Sequence, residues 1–150
     1  MKKNTRRYLL LLGLTGLVLG IVACKTKYKA LLTSNDGINF KVTSLVQAKQ
    51  LAKDENKPLF VFAHASWCPT CKRMEYEVLN QKALGDVYNK DVVNVAIDVD
   101  SPDGKRLGTQ FPIRATPTLL FFTADGSLVR KIEGYTGAGD LLLVEDQLKH

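Results

Sequence analysis

The spacing of apolar residues along the chain switches between a helical period and short uninterrupted runs, which predicts an order of helices and strands. Apolar residues recur at helical spacing after Ser44, and Ser44 with Gln47 fits a capping box. Pro58 ends this first helix. Residues 59–63 and 92–97 are almost wholly apolar and of strand length, which is typical of buried parallel strands.

Further helices are predicted between and after these two strands. One begins after Cys68 and continues, beyond a break, towards Tyr88. Another opens at Ser101–Pro102 and fades near Gln110. Helices in these positions would connect the strands and cover the faces of a sheet.

The last part of the chain predicts a hairpin and a closing helix. Residues 118–123 and 128–133 have strand composition and are joined through Asp125–Gly126, a dipeptide that favours a tight turn. Apolar residues at helical spacing then continue to Leu148. A parallel strand–helix–strand unit followed by an antiparallel hairpin predicts an α/β domain, with a small mixed central sheet and helices on both faces.

The first 23 residues have the pattern of an export signal. Residues 2–7 carry four basic side chains, and the uncharged residues 8–23 are fewer than the roughly 20 that a helix needs to span a membrane. The run ends in Ile21–Val22–Ala23–Cys24, which resembles the lipobox of bacterial lipoprotein signals, whose cysteine is lipidated and becomes the new amino terminus. An uncleaved anchor helix and an ordinary cleaved signal remain alternatives.

These features divide the chain into three parts. They are a lipoprotein signal peptide at residues 1–23, the lipidated cysteine and a flexible tether at 24–43, and a folded domain at 44–150. The basic end of a signal stays inside, so we expect the domain outside the cytoplasm, on the periplasmic side of the cell envelope. Two or three acyl chains would anchor it far more firmly than one chain does.

Most of the net charge of +6 belongs to this leader. No acidic residue precedes Asp36, and the chain after residue 23 has 17 basic against 15 acidic residues. A domain this close to neutral lacks the basic surface of a nucleic-acid-binding protein, so we expect no nucleic-acid partner. A composition of 45% hydrophobic and 24% charged residues is typical of a globular chain and excludes a disordered one.

The candidate chemistry lies at Cys68 and Cys71, spaced C-x-x-C where a strand passes into a helix. Proline is favoured at the first helical position, so Pro69 predicts a helix start with Cys68 at its N-cap. Free amide groups and the positive end of the helix dipole would favour the Cys68 thiolate and lower its pKa below about 8.5. Cys71, one turn further, would be more enclosed and able to resolve a mixed disulfide on Cys68, which predicts thiol–disulfide exchange.

Two other uses of the pair stay open at this point. An exported protein could carry a structural disulfide here, although so short a loop constrains little chain entropy. A copper-binding or copper-delivery module could use the dithiol with His64 and Met74, although no second C-x-x-C pair completes a metal site.

Residues 60–72, FVFAHASWCPTCK, resemble the active-site segment of the thioredoxin superfamily: a buried strand, a tryptophan, a C-x-x-C pair and a lysine. Residues 115–118, ATPT, stand where that superfamily places its cis-proline loop. The chain is similar to thioredoxin-like bacterial lipoproteins and to the carboxy-terminal domain of the thiol–disulfide reductase DsbD. The resemblance covers residues 44–150, and it implies a thioredoxin-like fold and protein-disulfide oxidoreductase activity with no cofactor and no resident metal.

Carried to this sequence, the resemblance implies that Cys68 is the nucleophile and Cys71 the resolving thiol. The substrate-binding residues that it implies surround this pair and are Trp67, Pro69, Thr70, Thr116 and Pro117. The Thr116 backbone would pair with an incoming peptide strand, and the peptide bond before Pro117 would be cis. Protein disulfides are the implied substrates, and a transmembrane electron donor of the DsbD type is the implied partner, since NADPH is absent outside the cytoplasm.

The sequence departs from the superfamily at two places. Phe62 occupies the position, six residues before Cys68, where thioredoxins commonly bury an acid that handles the proton of the resolving thiol. Proton transfer would then use water, Glu75 or a partner. The pair between the cysteines, Pro69–Thr70, contains no imidazole, so the thiolate lacks one cationic stabiliser, which favours a reductase or isomerase over a strong oxidase.

Overall fold

The computed structural model describes residues 36–148, so the predicted signal peptide, Cys24 and most of the predicted tether lie outside the described residues. Within this part the elements are α1 (Leu45–Asp54), β1 (Leu59–His64), α2 (Pro69–Met74), a π-helical turn (Glu75–Leu79), α3 (Lys82–Asp91), β2 (Val93–Asp98), α4 (Pro102–Gln110), β3 (Thr118–Phe122), β4 (Leu128–Glu133) and α5 (Ala138–Leu148). Among them, no helix combines the length and apolar character needed to cross a membrane. The order of helices and strands is the one that the apolar spacing predicts.

The strands of the described chain form one mixed sheet in the order β2–β1–β3–β4. β1 and β2 are parallel, with Leu59 opposite Val93 and His64 opposite Asp98. β3 runs antiparallel to both β1 and β4. Parallel neighbours need a crossover connection, which α2, the π-helical turn and α3 supply. The predicted mixed sheet is therefore confirmed.

Alternate residues of the central strands pack into two hydrophobic clusters, one on each face of the sheet. On one face, Phe60 and Phe62 pack with buried residues of α2, α3 and α5, and Phe60 stacks on Phe121 with ring centroids 4.9 Å apart. On the other face, Val61 and Ala63 pack with residues of α1 and α4. Helices cover both faces as predicted, and the face that holds Phe62 also holds both cysteines.

Helix α1 begins where the sequence predicts but is capped differently. Ser44 is the N-cap, yet its side chain makes no capping hydrogen bond, so the predicted capping box with Gln47 is wrong. The backbone N–H of Leu45 instead donates to Asp103 Oδ2 of α4 across 2.9 Å. A carboxylate from a neighbouring helix thus supplies the acceptor that the local side chain was expected to supply.

The π-helical turn after α2 was not predicted. The N–H of Asn80 donates to the carbonyl of Glu75 across 3.0 Å, a bond that spans five residues. Met74, Val78 and Leu79 are all buried. Apolar residues at positions i, i+4 and i+5 fit an α-helix and a π-helix equally well, so the sequence pattern does not distinguish them. Glu77, which belongs to the site described below, lies within this turn.

Residues 36–42, which the sequence assigns to the tether, pack against the domain. Ile38 is buried, and its N–H donates to the carbonyl of Leu79 across 2.8 Å. A Cβ on Gly37 would lie 2.3 Å from that same carbonyl oxygen, and a Cβ on Gly85 of α3 would lie 1.9 Å from the carbonyl oxygen of Asp36. The backbone approaches this closely only because both positions are glycine, so the packed domain begins upstream of residue 44.

Candidate active site

Cys68 and Cys71 lie at the start of α2 and are joined by a disulfide. Cys68 is the N-cap, with an extended backbone, and Pro69 is the first helical residue, as the sequence predicts. The backbone N–H of Cys71 donates to Cys68 Sγ across 3.1 Å. One of the amide groups left free at a helix start therefore points at this sulfur, which is the interaction that stabilises a thiolate in a reduced dithiol.

Both cysteines are nearly enclosed. Cys68 is 3% exposed and Cys71 is fully buried, and they belong to the hydrophobic cluster that contains Phe62 and Met74. The small accessible surface of the pair belongs to Cys68, so a partner sulfur meets Cys68 first. The difference in burial matches the roles predicted for an attacking and a resolving thiol.

A second loop reaches the disulfide from the start of β3. The peptide bond between Thr116 and Pro117 is cis, the form that the resemblance implies. The carbonyl oxygen of Thr116 lies 3.4 Å from Cys68 Sγ. The carbonyl of Pro117 accepts a hydrogen bond from the N–H of Gly134 across 2.7 Å, and Gly134 has φ +92°, a conformation that favours glycine. The loop that reaches Cys68 is thus held in turn by Gly134, a residue that follows β4.

Trp67, Pro69 and Thr70 are exposed around the disulfide. Trp67 is 65% exposed, which excludes a core-packing role, and its indole N–H donates to Asp100 Oδ2 across 2.8 Å. The structure therefore brings together all the predicted catalytic and substrate-binding positions. The predicted lipidation site, Cys24, lies outside the described residues.

An aromatic ring occupies the position where an acid was expected from the superfamily. Phe62 is buried in the same cluster as both cysteines and stacks on the ring of His64, with centroids 5.4 Å apart. His64 Nδ1 lies 4.0 Å from Glu75 Oε1. His64 is partly buried and Glu75 is exposed, whereas the cluster that contains both cysteines is hydrophobic.

A cluster of Arg73, Glu77 and Tyr135, with Arg73 on the helix that carries Cys71, was not found from the sequence. Glu77 Oε2 accepts hydrogen bonds from Arg73 Nε and from the Tyr135 hydroxyl, both across 2.9 Å, and the Arg73 guanidinium lies 4.7 Å from the Tyr135 ring centroid. The hydrogen bond from Arg73 and then that from Tyr135 lower the pKa of Glu77. The same carboxylate raises the pKa of Tyr135.

This cluster ties the segment after β4 to the helix that carries Cys71, because Tyr135 follows Gly134, the residue bonded to Pro117. The spacing of Arg73 and Glu77 is the four-residue spacing of a helical ion pair, and this signal could have indicated half of the cluster. Tyr135 is 58 residues away from Glu77 in sequence, and no local pattern connects them.

In residues 36–148, no group of three or more His, Cys, Asp or Glu side chains is placed to hold a metal ion. Cys68 and Cys71, the two sulfurs of the copper alternative, are bonded to each other. The part of the chain that the structure describes therefore presents no assembled set of these ligand types.

Residues 45–149 match the sequence family described as a thioredoxin-like domain. The chain is 36% identical over 73 residues to protein disulfide-isomerase 1 of Dictyostelium discoideum, an alignment that covers 46% of this chain. It is 26% identical over 102 residues to the thiol:disulfide interchange protein DsbD of Campylobacter jejuni, which covers 67% of this chain. The chain spans only 19% and 18% of those two proteins, so each similarity concerns one segment of a longer chain.

Among solved structures, the fold is similar to that of a candidate disulphide-isomerase from Bacteroides thetaiotaomicron, with a TM-score of 0.65 and 33% sequence identity. This similarity covers 74% of the present chain and 92% of the other. It extends over nearly the whole of that protein, in contrast to the matches with the two longer ones.

Proposed function

Because this chain belongs to the thioredoxin-like domain family, we propose that it is a thiol–disulfide oxidoreductase that exchanges disulfides with protein substrates through Cys68 and Cys71. The observation that carries the proposal is the Cys68–Cys71 disulfide at a helix start, with the carbonyl of Thr116 only 3.4 Å from Cys68 Sγ. A structural disulfide alone would not need the Thr116–Pro117 loop or an exposed tryptophan beside it. The predicted thioredoxin-like fold and the similarity to DsbD are confirmed.

The proposed reaction begins with the reduced protein. The Cys68 thiolate attacks one sulfur of a substrate disulfide, a mixed disulfide forms, and the other substrate sulfur leaves as a thiolate. Cys71 then loses its proton to water, to Glu75 or to a partner, and its sulfur attacks Cys68 Sγ. The second substrate thiolate leaves, and the Cys68–Cys71 disulfide forms again. Two electrons have then passed to the substrate, and an external dithiol must reduce the protein for the next cycle.

We propose that the net direction is reduction or isomerisation. A strong oxidant needs a highly stabilised thiolate in its reduced form. Here the backbone N–H of Cys71 reaches Cys68 Sγ, but Pro69 and Thr70 supply no cation. Two cations follow Cys71: Lys72 is exposed, so solvent screens its charge, and Arg73 donates to Glu77 across 2.9 Å and is largely neutralised by it. A moderately stabilised thiolate corresponds to a lower reduction potential.

We also propose that the protein is tethered to a membrane of the cell envelope through lipid on Cys24. The basic residues 2–7, the uncharged residues 8–23 and the lipobox-like residues 21–24 support this. The domain would then face the periplasmic side, where a transmembrane electron donor of the DsbD type would re-reduce the disulfide.

Reduction of insulin by the full-length chain, purified in detergent and supplied with a dithiol reductant, tests the activity. We expect Cys68→Ser to abolish turnover and Cys71→Ser to accumulate a mixed disulfide with the substrate. Cys24→Ala is the matched cysteine control and should keep full activity in detergent. Insulin reduction that is unchanged in Cys68→Ser would refute the enzymatic proposal.

Mass spectrometry of the protein expressed in a bacterial host tests the anchor. The parent should lack residues 1–23 and carry acyl groups on Cys24, whereas Cys24→Ala should keep its leader and carry none. A parent with an unmodified Cys24 would contradict lipidation and leave the redox proposal untouched.

A further inference from the structure

A groove of about 320 Å³ adjoins the disulfide site between α4 and the loop that precedes Pro117. Trp67 and Thr116 both line it, and the carbonyl oxygen of Thr116 lies 3.4 Å from Cys68 Sγ. The groove is therefore continuous with the place where a substrate sulfur must bind. Its volume is at the lower end of the range of about 300–1,000 Å³ that is usual for small-ligand sites.

Gly108 of α4 leaves room in this groove. A Cβ at this position would meet no atom within 4 Å, so no packing constraint requires glycine there. Glycine in a helix interior is unfavourable relative to alanine, and this one lines the groove. Gly104, one turn earlier, differs, because a Cβ there would lie 2.1 Å from the carbonyl oxygen of Asp98. Gly108 thus contributes open space to the groove at a cost in helix stability.

Two exposed cations, Lys105 and Arg114, also line the groove. Neither side chain forms an ion pair with a carboxylate in residues 36–148. The backbone N–H of Arg114 donates to Glu133 across 3.1 Å, but that carboxylate is already paired with Lys131 at 2.8 Å. Arg114 also interacts electrostatically with Glu133, and Asp100 accepts a hydrogen bond from the Trp67 indole, so these two carboxylates offset part of the positive charge. Counting Lys131, the partner of Glu133, three cations stand against two carboxylates here, so a net positive charge faces an incoming anion.

We propose that this groove binds the peptide segment flanking the substrate's reactive cysteine and selects segments that carry acidic side chains. The inference rests on the proposed disulfide exchange and adds a substrate class to it. Ile113 and Trp67 offer apolar contacts, Gly108 leaves space for one side chain, and Lys105 and Arg114 attract carboxylates. An extended segment paired with the Thr116 backbone would pass along this surface.

The test compares three disulfide-bonded peptides that differ only in the residues flanking the cysteine, which are glutamate, glutamine or lysine. With the full-length chain in detergent, we expect kcat/KM for the glutamate peptide to exceed that for the lysine peptide by about tenfold at low salt. The ratio should fall towards one in high salt, because exposed charges are screened. Equal rates for the three peptides at low salt would overturn the inference.

Two sets of variants assign the effect to the groove. The double variant Lys105→Gln, Arg114→Gln should abolish the preference for glutamate, whereas the control double variant Lys53→Gln, Lys90→Gln, outside the groove, should keep it. A preference that survives in the first double variant would overturn the assignment.

Gly108→Leu should fill the groove without harming the fold. We expect a cooperative thermal unfolding transition close to that of the parent, since a Cβ at this position meets no atom within 4 Å, and a kcat/KM for the glutamate peptide reduced about tenfold. Gly139 provides the matched control, because a Cβ there also meets no atom within 4 Å, and Gly139→Leu should leave peptide turnover unchanged. A Gly108→Leu protein that turns over peptides like the parent would contradict the proposed groove.

Binding without chemistry separates this inference from the proposed function. Trp67 is the single tryptophan of the chain, so its fluorescence reports on the groove directly. Peptides with serine in place of cysteine should change this fluorescence at lower concentration when their flanks are acidic. Tighter binding of acidic peptides without any disulfide exchange would refute the proposed function and support the groove. Disulfide exchange without a preference for acidic peptides would support the proposed function and refute the groove.

Discussion

Replacing Thr70 by histidine should make the disulfide a stronger oxidant by an amount that can be worked out. Thr70 is exposed and lies between Cys68 and Cys71 in the chain, and we take a separation of about 6 Å between an imidazolium at this position and Cys68 Sγ. At an effective dielectric constant of about 40, this charge stabilises a thiolate by about 1.4 kcal/mol. The pKa of the Cys68 thiol should therefore fall by about one unit.

Only the reduced form contains a thiolate, so the same free energy raises the reduction potential of the pair by about 30 mV. The gain needs a charged imidazolium and a thiolate together. It should be largest near neutral pH, fall at lower pH as the sulfur is protonated, and fall at higher pH as the imidazolium, with a usual pKa of about 6.5, loses its proton.

Equilibration with glutathione buffers, followed by alkylation of free thiols, measures the potential, and the ultraviolet absorbance of the thiolate measures the pKa of Cys68. Thr70→Gln, a neutral side chain of similar length, is the matched control and should leave both quantities near the parent values. Equal shifts in the two variants, or a lower pKa without a higher potential, would refute the electrostatic reasoning.

Two further substitutions test the surroundings of the site. Hydrogen bonds from Arg73 and Tyr135 lower the pKa of Glu77 in the folded protein. The ionised carboxylate therefore stabilises the folded state fully above its unfolded pKa of about 4.3, and this stabilisation is lost as the pH falls through the pKa of the folded protein. The parent should therefore lose more stability than Glu77→Gln between neutral pH and about pH 3 in urea melts, and equal losses would count against the cluster. Gly85→Ala places a Cβ 1.9 Å from a backbone carbonyl of the packed segment at residues 36–42 and should cost about 1–3 kcal/mol, with faster proteolysis of that segment. A variant as stable and as resistant as the parent would show that the segment adapts.

The strand order was predictable because its determinants are local and repeated. A few consecutive residues are enough to recognise each of these elements: the apolar runs of β1 and β2, and the Asp125–Gly126 turn of the hairpin. The cap of α1 was not predictable, since its acceptor, Asp103, lies 58 residues away in sequence. The packing of residues 36–42 depends on two glycines on different segments, whose spacing in the sequence carries no periodic signal.

The same division holds within the site. Pro69 determines the start of α2 and with it the position of Cys68, so the geometry of the dithiol follows from four consecutive residues. The Tyr135 hydroxyl contacts Glu77 across a π-helical turn and from the segment after β4, whose Gly134 is bonded to Pro117. Neither the π-helical turn nor the position of the segment after β4 has a local signature in the sequence. The chemistry of the site is thus encoded locally, whereas its outer surface is assembled by the fold.

Because the two sulfurs are buried, the surface around them determines which substrate disulfides can reach Cys68. Cys68 is only 3% exposed and Cys71 is fully buried, so a substrate sulfur must come within bonding distance of Cys68 through a small opening next to Thr116. A disulfide held rigidly inside a folded protein cannot adopt that approach, whereas one in an extended or unfolded segment can, since its backbone is free to pair with Thr116. The reaction rate with different substrates should therefore follow the local flexibility of the disulfide more closely than its reduction potential. The test compares the reduction rate of one disulfide in a folded protein with its rate in a flexible peptide fragment of that protein. Equal rates would show that the opening imposes no such selection.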